Sequence, residues 1–177
     1  MQGGYGNALR AFRWIALVFS TAALSVAICS APLWAREAVA FSGDAGPGTI
    51  LVRTQERSLY FITGQGRAVR YKVGVGRRDK QWFGSTRVVS KHIRPAWSPP
   101  AEIRRGRPAW VIPSGSARNP MGAAALVLAH NELAIHGTNN PGSVGGFVSW
   151  GCIRMHNGDV MDLFDRVSVG TQVIVAR

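Results

Sequence analysis

Cysteine and acidic residues are both scarce in this sequence of 177 residues. It contains 2 Cys, and its 9 Asp and Glu stand against 21 Lys and Arg, which gives a formal net charge of +12. Two cysteines exclude a small scaffold held together by many disulfides. The excess of basic residues predicts an anionic partner. With 46% hydrophobic and 17% charged residues, the chain is not of the disordered class, and its length predicts one globular domain.

An uncharged, largely apolar run lies close to the N terminus. Arg10 and Arg13 precede this run, which covers residues 15–29, and Pro32 follows it. That order is typical of a secretory signal, so we predict that residues 1–40 are a signal peptide and linker. A retained membrane anchor is the alternative, although the run is at the lower length limit for a span. The candidate cleavage sites are Cys29-Ser30-Ala31, Leu33-Trp34-Ala35 and Ala38-Val39-Ala40.

Removal of this leader would leave Cys152 as the one cysteine of the mature chain. Cys29 lies in the leader, and it follows Ile28 rather than the small residue that a lipoprotein signal requires, so we do not expect it to be lipidated. No internal disulfide is then possible. An unpaired thiol in an oxidising compartment is typical of a reactive group or an intermolecular link. A buried, inert cysteine is the alternative.

Basic residues are concentrated between Arg67 and Arg107, where Asp79 and Glu102 are the acidic residues. Nucleic acid is one interpretation of such a segment. Export favours anionic peptidoglycan instead, because its stem peptides carry free carboxylates. We therefore predict a periplasmic or cell-envelope protein with no nucleic-acid partner, and with a membrane partner only if the N-terminal segment is retained.

Apolar and alternating segments predict a set of short strands. Gly64-Gln65-Gly66 supplies the positive φ angles of a tight hairpin between two of them. Six prolines between residues 90 and 120 predict a long loop with one strand near 109–112. The other predicted strands cover residues 50–52, 58–63, 67–75, 124–129, 133–135 and 171–175.

One helix is predicted, beginning with Asn157 as its N-cap and ended by Gly170. Its apolar face holds Val160, Leu163, Phe164 and Val167. The predicted fold is therefore mainly β: a sandwich or partly closed barrel of mixed strands, with one short helix after Cys152.

Cys152 and His136 are the residues with the strongest indication of chemistry. A thiol is mostly protonated at neutral pH, so a nucleophilic cysteine needs a base or cation within hydrogen-bond reach. His136 follows a predicted strand sixteen positions before Cys152, which allows both side chains to lie at one rim. Gly151 permits close approach to the main chain, and amides of its turn are candidates for stabilising an oxyanion.

Three further histidines compete with His136 for the role of base: His156, His130 and His92. A zinc site of Cys152 with His130, His136 and His156 is a rival interpretation. Its spacing matches none of the common zinc-ligand patterns, so we predict no metal.

Two segments resemble the signature of a known family, the L,D-transpeptidase catalytic domain of the YkuD type. They are the turn His136-Gly137-Thr138-Asn139 and the run Ser149-Trp150-Gly151-Cys152-Ile153-Arg154-Met155. Asn119-Pro120-Met121-Gly122 and Pro113-Ser114-Gly115 are similar to the family's Asn-Pro-Leu-Gly and Pro-Gly-Gly. The resemblance covers residues 48–177. Two positions depart from it, because many members carry His where Trp150 stands, and the second Gly of Pro-Gly-Gly is present only as the pair Ser114-Gly115.

The resemblance implies a mechanism that needs no cofactor. Cys152 attacks the carbonyl that joins the third residue of a tetrapeptide stem to its terminal D-alanine, and an amine of a second stem then takes the acyl group to form a 3→3 crosslink. His136 moves the proton and is oriented by the carbonyl of Gly137. Carbapenems would acylate the same sulfur. The residues implied or expected to bind or shape the substrate pocket are Thr138, Asn139, Ser149, Gly151 and Arg154.

Other interpretations remain at this point. Water in place of the amine would make the protein a carboxypeptidase or a crosslink hydrolase. A wall-binding module without catalysis would make Cys152 incidental. For Arg154 the alternative is an ion pair with Asp159 or Asp162 that braces the loop, and for Asn139 it is the capping of a turn. Trp97 and Trp110 are more typical of packing than of sugar stacking.

Overall fold

The structure is a computed structural model that describes Met1 and residues 36–130 and 132–177. The chain divides into two compact units, residues 1–31 and 32–177, and the second is the one described below. Its strands are β1 Arg36–Ala40, β2 Ile50–Arg53, β3 Ser58–Gly64, β4 Arg67–Lys72, β5 Val75–Gly76, β6 Gly84–Ile93, β7 Ala124–Leu128, β8 Ala134–His136, β9 Phe147–Ser149, β10 Ile153–Arg154 and β11 Gln172–Ala176. Its helices are α1 Ala101–Arg104 and α2 Asn157–Arg166.

Nine of these strands form one sheet, in the order β1-β4-β3-β2-β11-β6-β7-β8-β10. Most neighbours are antiparallel, but β11 pairs with β2 and β10 pairs with β8 in parallel. The long strand β6 joins the two halves of the sheet, because its first residues pair with β11 and its last residues pair with β7. The prediction of a mainly β, partly closed fold of mixed strands is confirmed, since the sheet curls into a half-barrel.

The core lies between the curled sheet and α2. Helix α2 buries Val160 and Leu163 on the face that the sequence pattern predicts. Tyr71 of β4 is fully buried, and its hydroxyl donates to Asp162 Oδ2 of α2 at 2.6 Å. The largest fully buried side chains elsewhere in the core are Ile50, Leu59, Leu126, Ile135, Ile153 and Met155. Helix α2 packs against β7 and β8, and β8 is the strand that ends at His136.

The prediction for residues 84–112 was wrong in two places. Residues 84–93 form the long strand β6, which the sequence analysis did not identify. Its only fully buried residue is Val88, so it lacks the alternation of apolar residues that identifies a strand. The strand predicted near 109–112 is reduced to a single bridge between Trp97 and Ile112, and the loop contains α1 instead.

The start of the folded part also differs from the expectation. Residues 36–40, assigned to the linker from sequence, form the edge strand β1 beside β4. Its side chains are mostly exposed, so no apolar pattern marks it. Two ion pairs attach it, from Arg36 to Asp162 at 3.0 Å and from Glu37 to Arg70 at 2.6 Å.

The predicted signal peptide lies almost wholly outside the described residues. Within the part of the chain that the structure describes, no helix is long and apolar enough to span a bilayer.

Candidate active site

His136 and Cys152 lie on neighbouring strands. β8 ends at His136, and β10 begins directly after Cys152. The two strands are parallel, with Ile153 opposite Ile135 and Arg154 opposite His136, so Cys152 comes beside Ala134. Because side chains alternate along a strand, the side chains at positions 134 and 136 point to the same face. Cys152 and His136 accordingly line one cavity of about 400 Å³.

The imidazole of His136 is buried and held by the backbone. Its Nδ1 lies 2.6 Å from the carbonyl oxygen of Gly137, so Nδ1 carries the ring proton and donates it there, and Nε2 keeps its lone pair. Burial, helped by the positive charge of Arg154, lowers the pKa of His136 from 6.5 to about 4. The ring is therefore neutral at physiological pH and can accept a proton.

The thiol of Cys152 is half-buried and carries no disulfide. Burial raises the pKa of Cys152, while a backbone hydrogen bond with Ala134 and the charge of Arg154 act in the opposite direction. A raised thiol pKa and a lowered imidazole pKa together favour a protonated thiol and a neutral imidazole in this cavity.

Ser149 stabilises the turn that carries Cys152. Its buried Oγ donates to the carbonyl of Cys152 at 2.6 Å and accepts the N–H of Gly151 at 3.1 Å. The Gly151 amide is thus occupied and does not face a substrate. Gly151 has φ +122°, and an added Cβ would lie 3.1 Å from Leu133, so glycine is required here.

Trp82 also stabilises the turn that carries Cys152, a role that no sequence pattern predicted. Its indole N–H donates to the carbonyl of Gly151 at 3.0 Å. Its ring stacks on His130, with centroids 4.4 Å apart. This contact gives His130 a packing role. A tryptophan in a polar segment carries no sequence signal for such a role.

The other candidate histidines lie elsewhere. His156 stands at the N-cap of α2, and His92 bonds to Ser90 at 3.0 Å; neither lines the cavity of Cys152. Within the described residues, no three side chains of His, Cys, Asp or Glu come together as metal ligands.

Arg154 lies in the wall of the cavity and is half-buried. It forms no ion pair with Asp159 or Asp162, the two partners considered from sequence. Asp162 is engaged by Tyr71, Arg166 and Arg36. Asp159 is fully buried, and neither of its carboxylate oxygens has a hydrogen-bond partner in the described part of the chain. The guanidinium of Arg154 is therefore not engaged by either carboxylate, and Arg154 lines the cavity.

Thr138 and Asn139 lie on the other side of the His136 turn, in a neighbouring cavity of about 640 Å³, and not in the cavity of Cys152. The substrate-pocket role that the resemblance implies for them stays a prediction. Thr138 is buried, and its Oγ1 accepts the N–H of Asn140 at 3.1 Å. Asn139 donates to the carbonyl of Ala117 at 3.2 Å, which attaches the turn to the proline-rich loop.

Asn157 has a different role from the helix cap that was predicted. The N-cap position belongs to His156, which makes no side-chain cap bond. Oδ1 of Asn157 accepts the N–H groups of Ala123 and Thr138, each at 3.0 Å, and its Nδ2 donates to the carbonyl of Thr138 at 3.1 Å. An added Cβ at Gly122 or Gly137 would collide with this Oδ1. Asn157 thus connects the first turn of α2 to the main chain next to His136.

The proline-rich loop supplies the opposite wall of the Cys152 cavity, through Trp97, Pro100, Glu102 and Ile103. Asn119 closes the base of this loop by donating to the carbonyls of Pro95 at 2.8 Å and Pro113 at 3.1 Å. Trp110 lies outside the cavity, beneath Arg107.

Cationic side chains surround Trp150 at the rim of the cavity. The guanidinium of Arg77 lies 4.0 Å from the centre of the Trp150 ring, and Nζ of Lys80 lies 5.1 Å from it. Lys80 also pairs with Glu102 of the loop. The cavity therefore has a largely apolar lining, to which Arg154, Glu102 and Glu132 add charged side chains of both signs.

Comparison with known proteins identifies relatives of this arrangement. Residues 47–175 match the family model of the L,D-transpeptidase catalytic domain, YkuD. The probable L,D-transpeptidase YbiS of Escherichia coli is 33% identical over 133 residues, which are 71% of this chain and 43% of that protein. The probable L,D-transpeptidase ErfK/SrfK of Escherichia coli is 37% identical over 136 residues, 70% of this chain and 42% of that protein. The chain thus spans less than half the length of these curated relatives.

A solved structure shares the fold at low sequence identity. L,D-transpeptidase 3 from Mycobacterium tuberculosis, in complex with a faropenem-derived adduct, superposes with a TM-score of 0.56 at 17% identity. The match covers 75% of this chain and 61% of that one. The family model covers most of the chain, and both halves of the family's motif meet at the Cys152 cavity, so the chain belongs to the L,D-transpeptidase catalytic domain family of the YkuD type.

Proposed function

We propose that this protein is an exported peptidoglycan L,D-transpeptidase in which Cys152 is acylated by a tetrapeptide stem. The observation that carries the proposal is that Cys152, His136 and Arg154 line one cavity with an apolar loop wall. A thiol next to a neutral imidazole is the minimal apparatus for acyl transfer. The family and the chemistry of its named relatives supply the choice of substrate.

The acylation step follows from the proton positions. As sulfur attacks the carbonyl carbon, Nε2 of His136 takes the thiol proton, and Nδ1 stays bonded to the carbonyl of Gly137. The imidazolium then gives this proton to the nitrogen of D-alanine, and the C–N bond breaks to leave a thioester. The N–H of Cys152 has no acceptor among the described residues and is the candidate oxyanion donor, since that of Gly151 is bonded to Ser149.

Transfer to the acceptor reverses these roles. An amine of a second stem attacks the thioester, His136 removes the proton of the amine, and the sulfur leaves and is protonated again. Arg154 faces the thiol from the cavity wall, and its guanidinium is placed to hold a carboxylate of the donor stem. The products are a 3→3 crosslink and free D-alanine. The proposed site of action is the cell envelope.

The first experiment identifies the nucleophile. The purified protein is exposed to a carbapenem, and its intact mass is measured. We expect one covalent adduct, which is lost in Cys152→Ser. His136→Gln should slow adduct formation by about 100-fold or more, whereas His156→Gln, a matched change outside the cavity, should leave the rate unchanged.

The second experiment tests transfer against hydrolysis. Incubation with a purified tetrapeptide stem should yield a crosslinked dimer and D-alanine. Formation of a free tripeptide without dimer would show that the protein is a hydrolase and not a transferase. If the Cys152→Ala variant retained full function, the protein would be a wall-binding module, and the enzymatic proposal would be overturned.

A further inference from the structure

A second group of charged side chains lies at the far end of β9 from the Cys152 turn. Arg57, Arg78 and Arg177 line a cavity of about 560 Å³ with Gln55, Gln81 and two phenylalanines. None of the lining residues is acidic. The cavity is of the size that holds a small organic group rather than a single ion.

These three arginines have no carboxylate partner in the described part of the chain; Arg57 is partly buried, and Arg78 and Arg177 are exposed. Nearby carboxylates are already engaged, because Glu56 pairs with Arg53 at 3.0 Å and Asp79 lies 3.7 Å from Arg77. Within residues 36–130 and 132–177, no ion pair involves Arg57, Arg78 or Arg177. Three like charges facing one cavity repel each other, and a bound anion would remove that repulsion.

Aromatic rings support two of the guanidinium groups. Arg57 lies over Phe147, with its Cζ 5.3 Å from the ring centre, and Arg177 lies over Phe83 at 5.4 Å. Stacking restricts the guanidinium plane and leaves its N–H edges available for two-point binding of an oxyanion. Both rings line the cavity.

The main chain at Arg57 is held in an unusual conformation. Its φ is +50°, in the left-handed region that favours glycine or asparagine. The backbone is fixed there by bonds from Arg57 N–H to the Thr54 carbonyl at 3.2 Å and from Val73 N–H to the Arg57 carbonyl at 2.8 Å. These bonds hold the turn that places the Arg57 side chain in the lining of the cavity.

We propose that this cavity binds an oxyanion of the cell-wall polymer, a carboxylate or a phosphate, while Cys152 acts on a stem peptide. The choice of the cell wall as the source of the anion rests on the proposed function. The prediction that the cavity binds an oxyanion rests on the arginines alone. Phe147 lines the arginine cavity, and Ser149 lines the Cys152 cavity. These residues are two positions apart on β9, about 7 Å along the strand, so the two cavities are close enough for one polymer segment to reach both.

The test compares two double variants that lose the same charge. Arg57→Gln with Arg78→Gln removes two arginines of the cavity. Arg67→Gln with Arg87→Gln removes two exposed arginines outside it. Each full-length protein is sedimented with purified sacculi, untreated or stripped of phosphate polymers by acid, and with increasing inorganic phosphate as a competitor. Thermal unfolding verifies that each variant is folded.

We expect the cavity variant to bind sacculi about tenfold more weakly and to lose competition by phosphate, with the control variant within about twofold of the parent. Equal binding to stripped and untreated sacculi would identify a carboxylate, and binding to untreated sacculi alone would identify a phosphate; either supports the site. Equal weakening of both variants, or no weakening of the cavity variant, would overturn it. Carbapenem adduct formation by the parent protein is measured in parallel. A protein that forms no adduct would contradict the proposed function, whereas the sacculus binding data test the arginine cavity.

Discussion

We expect the thiol proton of Cys152 to remain on sulfur until a substrate carbonyl arrives. Burial disfavours both charged forms, because it raises the pKa of the thiol and lowers the pKa of the imidazole. The nearby Arg154 favours a thiolate and disfavours an imidazolium, so it does not stabilise an ion pair as a whole. Proton transfer is therefore coupled to attack on the carbonyl.

This arrangement predicts an unusually acidic lower limit for activity. A pKa of about 4 means that His136 is a neutral base at every pH well above 4. We expect the rate of carbapenem adduct formation to hold between pH 7 and 5 and to fall as pH drops through about 4. The rate is measured from about pH 3 to 8, so that the series extends below the pKa of His136, with circular dichroism to check folding. A decline centred near 6.5 would contradict a buried, neutral His136.

The same group links folding to pH. The imidazole has its ordinary pKa of 6.5 in the unfolded chain and a lower pKa in the folded one. Between these values the unfolded state binds more protons, so the free energy of unfolding decreases as pH falls from 6.5 towards 4. Above 6.5 this contribution is constant.

A second prediction concerns Asn157, which makes three bonds to the main chain beside His136. Asn157→Ala leaves the N–H groups of Ala123 and Thr138 without this acceptor. We expect the free energy of unfolding to drop by about 2 kcal/mol and adduct formation to slow by at least about tenfold, since the turn that orients the imidazole loosens. Urea unfolding and the adduct rate are measured. Asn140→Ala, an exposed asparagine of the same loop, is the control and should change neither.

Among the secondary-structure elements, α2 depends on a side chain from β6. Nζ of Lys91 donates to the carbonyls of Phe164 and Val167, each at 2.6 Å, and lies over the Phe164 ring at 4.1 Å. These carbonyls belong to the C-terminal end of the helix, where backbone acceptors lack intrahelical partners. The ammonium also complements the negative end of the helix dipole.

Replacement of this lysine tests the attachment of α2 to the sheet. Lys91→Met keeps the length of the side chain but removes both donated bonds and the charge. We expect the free energy of unfolding to fall by about 1–2 kcal/mol, with the adduct rate at Cys152 retained. Denaturant titration measures the loss, and the exposed Arg87→Met of the same strand should be neutral. An equal loss in both variants would show that charge alone is responsible.

At the scale of the whole molecule, β1 is the outermost strand of the nine-stranded sheet. Glu37 and Arg36 of this strand pair with Arg70 and Asp162. Loss of β1 would remove both ion pairs and would leave β4 as the edge strand. The position at which a leader is removed therefore matters for the fold.

We expect export to cleave the chain before Arg36 and not after Ala40. Cleavage after Ala31 or Ala35 retains β1, whereas cleavage after Ala40 removes it. N-terminal sequencing or intact mass of the protein recovered from the cell envelope decides between these sites. A mature chain that starts at Phe41 would contradict the expectation, as would a full-length chain retained in the membrane. A version starting at Phe41 should unfold at a lower temperature than one starting at Arg36.

The sequence by itself determined the family, the mainly β fold, the helix after Cys152 and the choice of Cys152 and His136, because local motifs and residue periodicity carry that information. Tertiary structure decided the rest. It showed β6 and β1, which have polar or exposed side chains and depend on pairing with neighbours. It also assigned Asn157 to the main chain near His136, separated Thr138 and Asn139 from the Cys152 cavity, and left Arg154 without a carboxylate partner. It also set the directions in which the pKa values of Cys152 and His136 shift, because burial and the distance to neighbouring charges determine a pKa, and neither can be read from the order of amino acids.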